Sequence, residues 1–149
     1  MQFTVSVDFD APPRSVWEEL VDWEAHGAWI PLTRTEVDGD DPTAVGATFT
    51  AWTGVRRLAL EDRMRVAECT WNAERESGTC KVDKLGPVLQ GSAGFIVAPL
   101  AEGTRVEWHE DVSVRYLPRF VAPLAAVLGS IGFRQGMKRL DTLLARRGV

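Results

Sequence analysis

The segment Pro118–Arg147, PRFVAPLAAVLGSIGFRQGMKRLDTLLARR, is the only one long enough and apolar enough to form one central helix. Two sets of apolar residues follow helical spacing within it. The first set contains Phe120, Val121, Leu124, Val127, Leu128 and Ile131, and the second contains Phe133, Met137, Leu140, Leu143 and Leu144. At about 100° per residue, the second set lies roughly half a turn from the first. One straight helix therefore cannot bury both sets against one sheet.

Three glycines, Gly129, Gly132 and Gly136, stand where one apolar set gives way to the other. We predict a kink or a short break there, which would turn the second apolar face inward. The alternative is a continuous helix whose glycines allow close approach to the sheet. In both cases we expect the rest of the chain to wrap around this helix.

The length of 149 residues fits a single domain, residues 1–149, with a hydrophobic core. The net charge of −4 argues against a nucleic-acid partner, because binding to phosphates requires a basic face. Several basic residues do lie near the end of the chain, namely Arg134, Lys138, Arg139, Arg146 and Arg147. Their position instead suits the negative end of a helix dipole.

Cysteine content and the absence of a signal peptide are typical of a cytoplasmic protein. Cys69 and Cys80 flank a hairpin predicted near Glu74 and Arg75, where they could face one another, and we expect them to stay reduced. The apolar run Phe120–Phe133 is too short, and too interrupted by Gly and Pro, to span a bilayer. We therefore expect no integral membrane contact, and a monomer or a homodimer.

The beginning of the chain predicts a strand followed by two short helices. Apolar and polar residues alternate over Gln2–Phe9, which is typical of a strand with one buried face. The Asp10–Pro13 segment then resembles a helix start, and helical spacing continues to Val21. A second short helix is predicted over Asp22–Trp29, before Pro31.

Strands and turns are predicted for the middle of the chain. The predicted strands are Val45–Thr53, a segment around Met64 and Val66, a segment around Cys80 and Val82, Val88–Val97 and Thr104–Tyr116. Gly and Asp residues between them mark turns. The expected order is one strand, two short helices, about six strands and the long helix.

Two motifs in this order resemble a known family. The first is Asp10-Ala-Pro-Pro, Val16-Trp17, Leu20, Asp22 and Trp29-Ile-Pro31, and the second is Gly46, Phe49, Asp62-Arg-Met64, Gly91, Phe95 and Trp108-His-Glu110. Both are similar to motifs of the START-like, or SRPBCC, superfamily, and of its small bacterial members grouped with polyketide cyclases, dehydrases and lipid-transport proteins. The resemblance implies an α+β helix-grip fold, in which a curved antiparallel sheet of six or seven strands grips the C-terminal helix. It also implies a cavity between sheet and helix for an apolar small molecule.

Three charged residues are candidates for chemistry in such a cavity. Glu110 shares the face of Trp108, so its carboxylate must be paired, hydrated or protonated. Asp62 alternates with Met64, although a turn role is also open to it, and Lys84 falls on the side of Val82. A Lys84–Glu110 or Lys84–Asp62 pair would explain the buried charge without any catalysis.

The remaining site predictions concern ligand contacts and metals. We expect a ligand to contact the inward residues Phe49, Met64, Val82, Phe95, Trp108 and Glu110, together with Leu124 and Leu128 of the helix. Neither His26 nor His109 has metal-ligand spacing, and His109 should point outward. The glycines form neither a P-loop nor a dinucleotide-binding fingerprint. We therefore expect no metal and no cofactor.

Three classes of function follow. The leading interpretation is a protein that binds or transports a hydrophobic small molecule, such as a lipid or a polyketide. The second is a cyclase or dehydratase in which Glu110 or Asp62 moves a proton and Lys84 or a tyrosine stabilises an enolate, although Tyr116 is the only tyrosine. The third is a protein-interaction or regulatory module, of the toxin–antitoxin or chaperone-cofactor type.

Overall fold

The computed structural model describes all 149 residues and has seven strands in one antiparallel sheet. The strands are β1 (Gln2–Phe9), β2 (Thr33–Val37), β3 (Thr48–Thr53), β4 (Leu60–Asn72), β5 (Ser77–Leu85), β6 (Leu89–Pro99) and β7 (Thr104–Val114). The α-helices are α1 (Pro13–Val21) and α2 (Ala122–Arg146), and short 3₁₀ turns lie at Trp23–Ala28, Arg56–Leu58 and Arg119–Val121. Across the sheet the strand order is β1-β7-β6-β5-β4-β3-β2. The α+β helix-grip architecture predicted from the sequence is confirmed.

The first helices pack against one end of the sheet. α1 buries Val16, Trp17 and Leu20, and the Trp17 ring lies where a side chain on Gly78 of β5 would otherwise stand. The second predicted helix is a 3₁₀ turn, which repeats every three residues instead of every 3.6. Its inward residues Trp23 and His26 therefore lie one above the other.

The hairpin of β4 and β5 brings the two cysteines into register. Cys69 pairs directly with Cys80, and both are free thiols. The hairpin carries an irregularity between Val66 and Glu68, which shifts the register by one residue. Such a shift bends a strand and increases its twist.

The structure of helix α2 differs from the sequence-based predictions in two respects. The helix is unbroken from Ala122 to Arg146, so the predicted short break is wrong, while a kink at the glycines stays a prediction. The helix also begins at Ala122, after the 3₁₀ turn that follows Pro118. In the second apolar set Met137, Leu140 and Leu144 are buried, the first two at 0% exposure, and Phe133 and Leu143 are half-buried. The first set is not buried, since Leu124 and Leu128 are 60% and 61% exposed.

The lengths of α2 and β1 explain why only one set is buried. A 25-residue helix is roughly 37 Å long, whereas the eight residues of β1 extend roughly 26 Å. Gly129 lies beside Phe3 near the start of β1, and Asp141 accepts a hydrogen bond from the Asp10 backbone N–H beyond its end. The first two turns of α2 therefore extend past the sheet, and their large apolar side chains stay exposed.

By length and composition, the helical segment Arg119–Arg146 is apolar enough to cross a membrane, at a mean hydropathy of 1.2 in its most apolar window. Its second half, however, belongs to the hydrophobic core through Met137, Leu140 and Leu144. Two side chains also tie it to the rest of the fold: Arg134 donates to the Ser6 carbonyl and Arg147 pairs with Glu19. The helix thus has one packed half and one exposed half.

We call one end of the sheet the open end. It contains the ends of β3, β5 and β7, and therefore the connecting segments 54–59, 86–88 and 115–121. The exposed first turns of α2 lie at this end as well, because residues 115–121 lead directly into them. α1 and the Cys69–Cys80 side of the hairpin lie toward the opposite end.

Candidate functional site

A cavity of about 110 Å³ lies between the sheet and the second half of α2. Its apolar wall includes five aromatic side chains, Trp23, Phe49, Phe95, Trp108 and Phe133, and its polar lining includes His26, Thr35, Asp62, Lys84 and Glu110. Trp108 is stacked between Phe95 and Phe133, with centroid separations of 5.4 and 4.7 Å. A void therefore persists beside a well-packed aromatic stack.

The structure brings most of the predicted site residues together at this cavity. Phe49, Met64, Val82, Phe95, Trp108, Glu110, Asp62 and Lys84 all line it. Leu124 and Leu128 do not, and their predicted placement is wrong. Both lie on the two turns of α2 that extend past the sheet, so they face outward. Contact of the lining residues with a ligand stays a prediction.

The cavity volume limits what can enter it. Pockets for drug-sized ligands have volumes of about 300–1,000 Å³, and an apolar cavity of about 150 Å³ holds one benzene molecule. At about 110 Å³, the present cavity accommodates a group near the size of one aromatic ring. A larger molecule would fit only if part of it remained outside or if Phe133 and α2 moved.

A cluster of three charged side chains forms the polar part of the wall. The Lys84 ammonium lies 2.5 Å from Asp62 Oδ2 and 3.8 Å from Glu110 Oε2. Met64 pairs with Lys84 in the β4–β5 register, and Asp62 lies two residues from Met64 on the same face. Across the small residues Gly91 and Ala93 of β6, Lys84 also reaches toward Glu110 on β7. Both ion pairs considered from the sequence are thus present.

Glu110 is the carboxylate with the more apolar surroundings. It is buried and accepts a hydrogen bond of 3.1 Å from Trp108 Nε1–H. Burial raises the pKa of Glu110 above its ordinary value, and the nearby Lys84 ammonium and the Trp108 hydrogen bond oppose that rise only in part. Glu110 is therefore more easily protonated than an ordinary solvent-exposed glutamate.

Two polar oxygens in the cavity wall have no hydrogen-bond partner. They are Asp62 Oδ1 and Thr35 Oγ1, both buried. Thr35 pairs with Ala51, and Ala51 pairs with Asp62, so the three residues form a row across neighbouring strands. Because neighbouring strands are about 4.8 Å apart, the backbones of Thr35 and Asp62 lie roughly 10 Å apart. The small Ala51 side chain leaves the space between them open.

His26 is a cavity residue that sequence reasoning did not assign. It is buried among Trp23, Trp29 and Trp108, and its Nε2–H donates to the Leu20 carbonyl. Burial lowers the pKa of His26 to about 4, so the ring is neutral at pH 7. The spacing of Trp23, His26 and Trp29 by three residues is the signal that would have revealed this face, because residues i and i+3 of a 3₁₀ turn share one side.

The second histidine, His109, lies outside the cavity. His109 points outward, as predicted, with its Nε2 3.0 Å from Glu107 Oε1. No group of three His, Cys, Asp or Glu side chains is arranged to hold a metal ion. Phe133, Thr35 and Cys80 are further lining residues that were not assigned in advance.

Comparison with solved structures gives the same architecture in many other proteins. A protein from Thermus thermophilus, TTHA0849, superimposes with a TM-score of 0.78 at 14% identity over 100% of both chains. A START superfamily protein from Mycobacterium smegmatis gives 0.71 at 14% identity over 97% of each chain. The ZhuI aromatase/cyclase from Streptomyces gives 0.67 at 15% identity, over 100% of this chain and 96% of its own. At these identities the likeness shows the fold alone.

The sequence itself matches one family. The model of the family described as "Polyketide cyclase / dehydrase and lipid transport" matches residues 1–145. No curated protein matches the chain in sequence. Membership of this family supports a role in binding a hydrophobic ligand or in cyclase chemistry. With its START-like helix-grip fold and a family match over nearly its whole length, the chain belongs to the polyketide cyclase/dehydrase and lipid transport family.

Proposed function

We propose that the protein binds a neutral, largely apolar small molecule and holds one ring-sized, hydroxyl-bearing end of it in the cavity. The observation that carries this proposal is an aromatic cavity whose wall contains an unpartnered carboxylate oxygen of Asp62. A lipid or a polyketide would place one ring or chain end inside. We expect this ligand to be handled in the cytoplasm.

The polar wall favours a neutral ligand. The Lys84 ammonium lies beside both Asp62 and Glu110, so the cluster leaves no free positive charge for an anionic ligand. Burial favours the neutral form of Glu110, which weakens the attraction for a cation. An unsatisfied buried acceptor is costly, and a ligand hydroxyl that donates to Asp62 Oδ1 would remove that cost. The Thr35 hydroxyl, in the same row, can bond a second oxygen of the ligand.

The matched probes p-cresol and toluene test this proposal, since they differ only in the hydroxyl. We expect titration followed by tryptophan fluorescence to show p-cresol binding at least about tenfold more tightly, because one good hydrogen bond contributes about 1.5 kcal/mol or more when its acceptor is charged. Asp62→Asn should reduce the preference by about threefold or more. The exposed Thr70→Val serves as the control and should leave it unchanged. If neither probe binds, the proposal is wrong.

An enzyme of the cyclase or dehydratase type is the second candidate. Glu110 favours it, because a buried carboxyl with a raised pKa, beside a cavity and a lysine, is suited to proton transfer. Tyr116 cannot assist, since it is 83% exposed. Glu110→Gln, which preserves an acceptor for Trp108 Nε1, should abolish turnover of a polyketide substrate while retaining its binding. Unchanged turnover would exclude Glu110 as acid or base.

A further inference from the structure

The open end of the sheet exposes an unusual number of large apolar side chains. Among them are Val55, Leu58, Tyr116, Phe120, Leu124 and Leu128, which we call the apolar end surface. Leu58 and Phe120 are 89% and 84% exposed, so these side chains project into solvent rather than covering a neighbouring element. Large apolar side chains exposed together at one end of a protein indicate an interaction site.

Charge distribution at this end differs from that of the whole chain. Segments 54–59, 86–88 and 115–121 contain Arg56, Arg57, Arg115 and Arg119 and no acidic residue, whereas the chain as a whole carries −4. Residues 122–131 of α2 carry no charge at all. None of the four arginines forms a salt bridge. The open end is therefore a basic and apolar surface on an acidic protein.

The shape of this surface favours a flat partner. β3 and β7, which lead into two of the exposed segments, are four strand spacings apart, or roughly 20 Å. A lipid surface can contact both segments at once, and its interface accepts apolar side chains beside arginines whose charged ends reach the headgroups. Tyr116, with Arg115 5.0 Å from the centre of its ring, is a residue type enriched at that interface.

A second copy of the chain is a poorer partner. In a symmetric dimer the same surface of each copy would meet, so four unpaired arginines would face four others. Anionic phospholipids instead supply the opposite charge and attract basic residues near the surface. Charge complementarity therefore selects a phospholipid membrane.

We propose that the open end docks onto an anionic phospholipid surface, with Leu58, Phe120 and Leu124 inserted among the lipids and the four arginines on the headgroups. The contact is peripheral, because the second half of α2 is packed in the core. It involves no residue of the charged cluster and is independent of the proposed ligand. Thr33 and Thr53, at the cavity rim, lie at strand ends on this same side, so docking would turn the rim toward the lipid.

Co-sedimentation with vesicles tests the proposal. Vesicles made from equal parts of phosphatidylcholine and phosphatidylglycerol should bind the wild-type protein at least about tenfold more tightly than phosphatidylcholine alone, and added salt should weaken the binding. Arg57→Glu combined with Arg119→Glu should weaken it by at least about tenfold. Phe120→Ser combined with Leu124→Ser should have a similar effect, because both side chains lose their insertion into lipid.

Matched controls come from the other parts of the surface. Val45→Ser removes an apolar side chain that is 74% exposed between β2 and β3, away from the open end. Arg139→Glu with Arg146→Glu reverses two exposed charges on the second half of α2. Both controls should bind vesicles like the wild type to within about a factor of two or three, since each leaves the open end intact. Circular dichroism establishes that all variants are folded.

Three outcomes would overturn the proposal. The first is a lack of binding to either vesicle, and the second is equal weakening by the control and the open-end variants. The third is a wild-type dimer in solution that Phe120→Ser with Leu124→Ser dissociates, which would assign the surface to self-association. The p-cresol titration is unaffected by any of these results, so a failure of this proposal and a failure of the proposed ligand remain distinguishable.

Discussion

The two halves of α2 each carry a set of apolar residues at helical spacing, but these two sets lie in opposite environments. Leu124 and Leu128, in the first half, are more than half exposed, whereas Met137 and Leu140, in the second, are completely buried. The difference shows that an amphipathic pattern identifies a helix face without stating what covers that face.

The two halves also contribute to different properties of the molecule. The second half supplies Phe133 to the cavity wall and Met137, Leu140 and Leu144 to the core. The first half contributes almost nothing to the core and leaves its apolar side chains on the surface. Substitutions in the second half should therefore change stability, and those in the first half should change only surface interactions.

Leu140→Ala tests whether the second half of α2 contributes more to stability than the first. We expect it to lower the free energy of unfolding by about 3 kcal/mol, because it removes fully buried carbons and leaves a cavity. Leu128→Ala, the matched change in the first half, should cost less than about 0.5 kcal/mol. Urea unfolding of both variants measures the difference. Equal losses would show that the first half is also packed in solution.

The pH dependence of stability tests the packing beneath the second half, where His26 lies against Trp29. The pKa of His26 falls from 6.5 to about 4 on folding, so the unfolded chain binds more protons between these values. Stability should therefore be lost as pH falls from about 6.5 to about 4, by up to about 3 kcal/mol.

Glu110 has the opposite effect on the pH dependence of stability. Because its pKa is raised on folding, its contribution makes stability fall as pH rises above 4.5. The His26 contribution is thus measured as the difference between the wild type and His26→Gln, by urea unfolding at each pH. Between about pH 4 and pH 6.5, the unfolding free energy of His26→Gln should depend less on pH than that of the wild type. The exposed His109→Gln serves as the control. Identical slopes in the wild type and His26→Gln would mean that His26 is accessible to water.

The smallest expected difference in stability is between alanine substitutions at two glycines of α2. A methyl group on Gly132 meets no atom within 4 Å, so Gly132→Ala should stabilise the protein by up to about 1 kcal/mol through helix propensity. A methyl group on Gly136 would lie 3.2 Å from the Trp29 carbonyl oxygen and 3.3 Å from its ring. Gly136→Ala should therefore lose that gain. Thermal unfolding of the pair measures the difference, and equal stabilisation would show that α2 does not press on Trp29.

Much of the site was predictable because strand alternation is local. Alternation in β7 correctly placed Glu110 and Trp108 on one face, and alternation in β4 and β5 placed Asp62 and Lys84 toward the same cavity. The ion pairs among them were anticipated for the same reason. His26 was missed because its turn has a period of three residues, which was interpreted as an ordinary short helix.

The first apolar set of α2 shows the opposite situation. Its spacing correctly indicated a helix, but Leu124 and Leu128 were assigned to the cavity wall, which they do not reach. Their exposure depends on the length of α2 relative to β1 and on the level at which the two elements meet. Neither quantity is contained in the periodicity of one segment.

By itself, the sequence predicted every strand except β2, both α-helices, the apolar side of most of these elements, and the family motifs that the chain carries. These properties depend on residues a few positions apart. Only the tertiary structure decided which half of α2 enters the core, that the cavity is no larger than one ring, and that four arginines share an end with the exposed apolar side chains. Those properties depend on how far each element extends beside its neighbours, because burial requires an opposing surface at the same level.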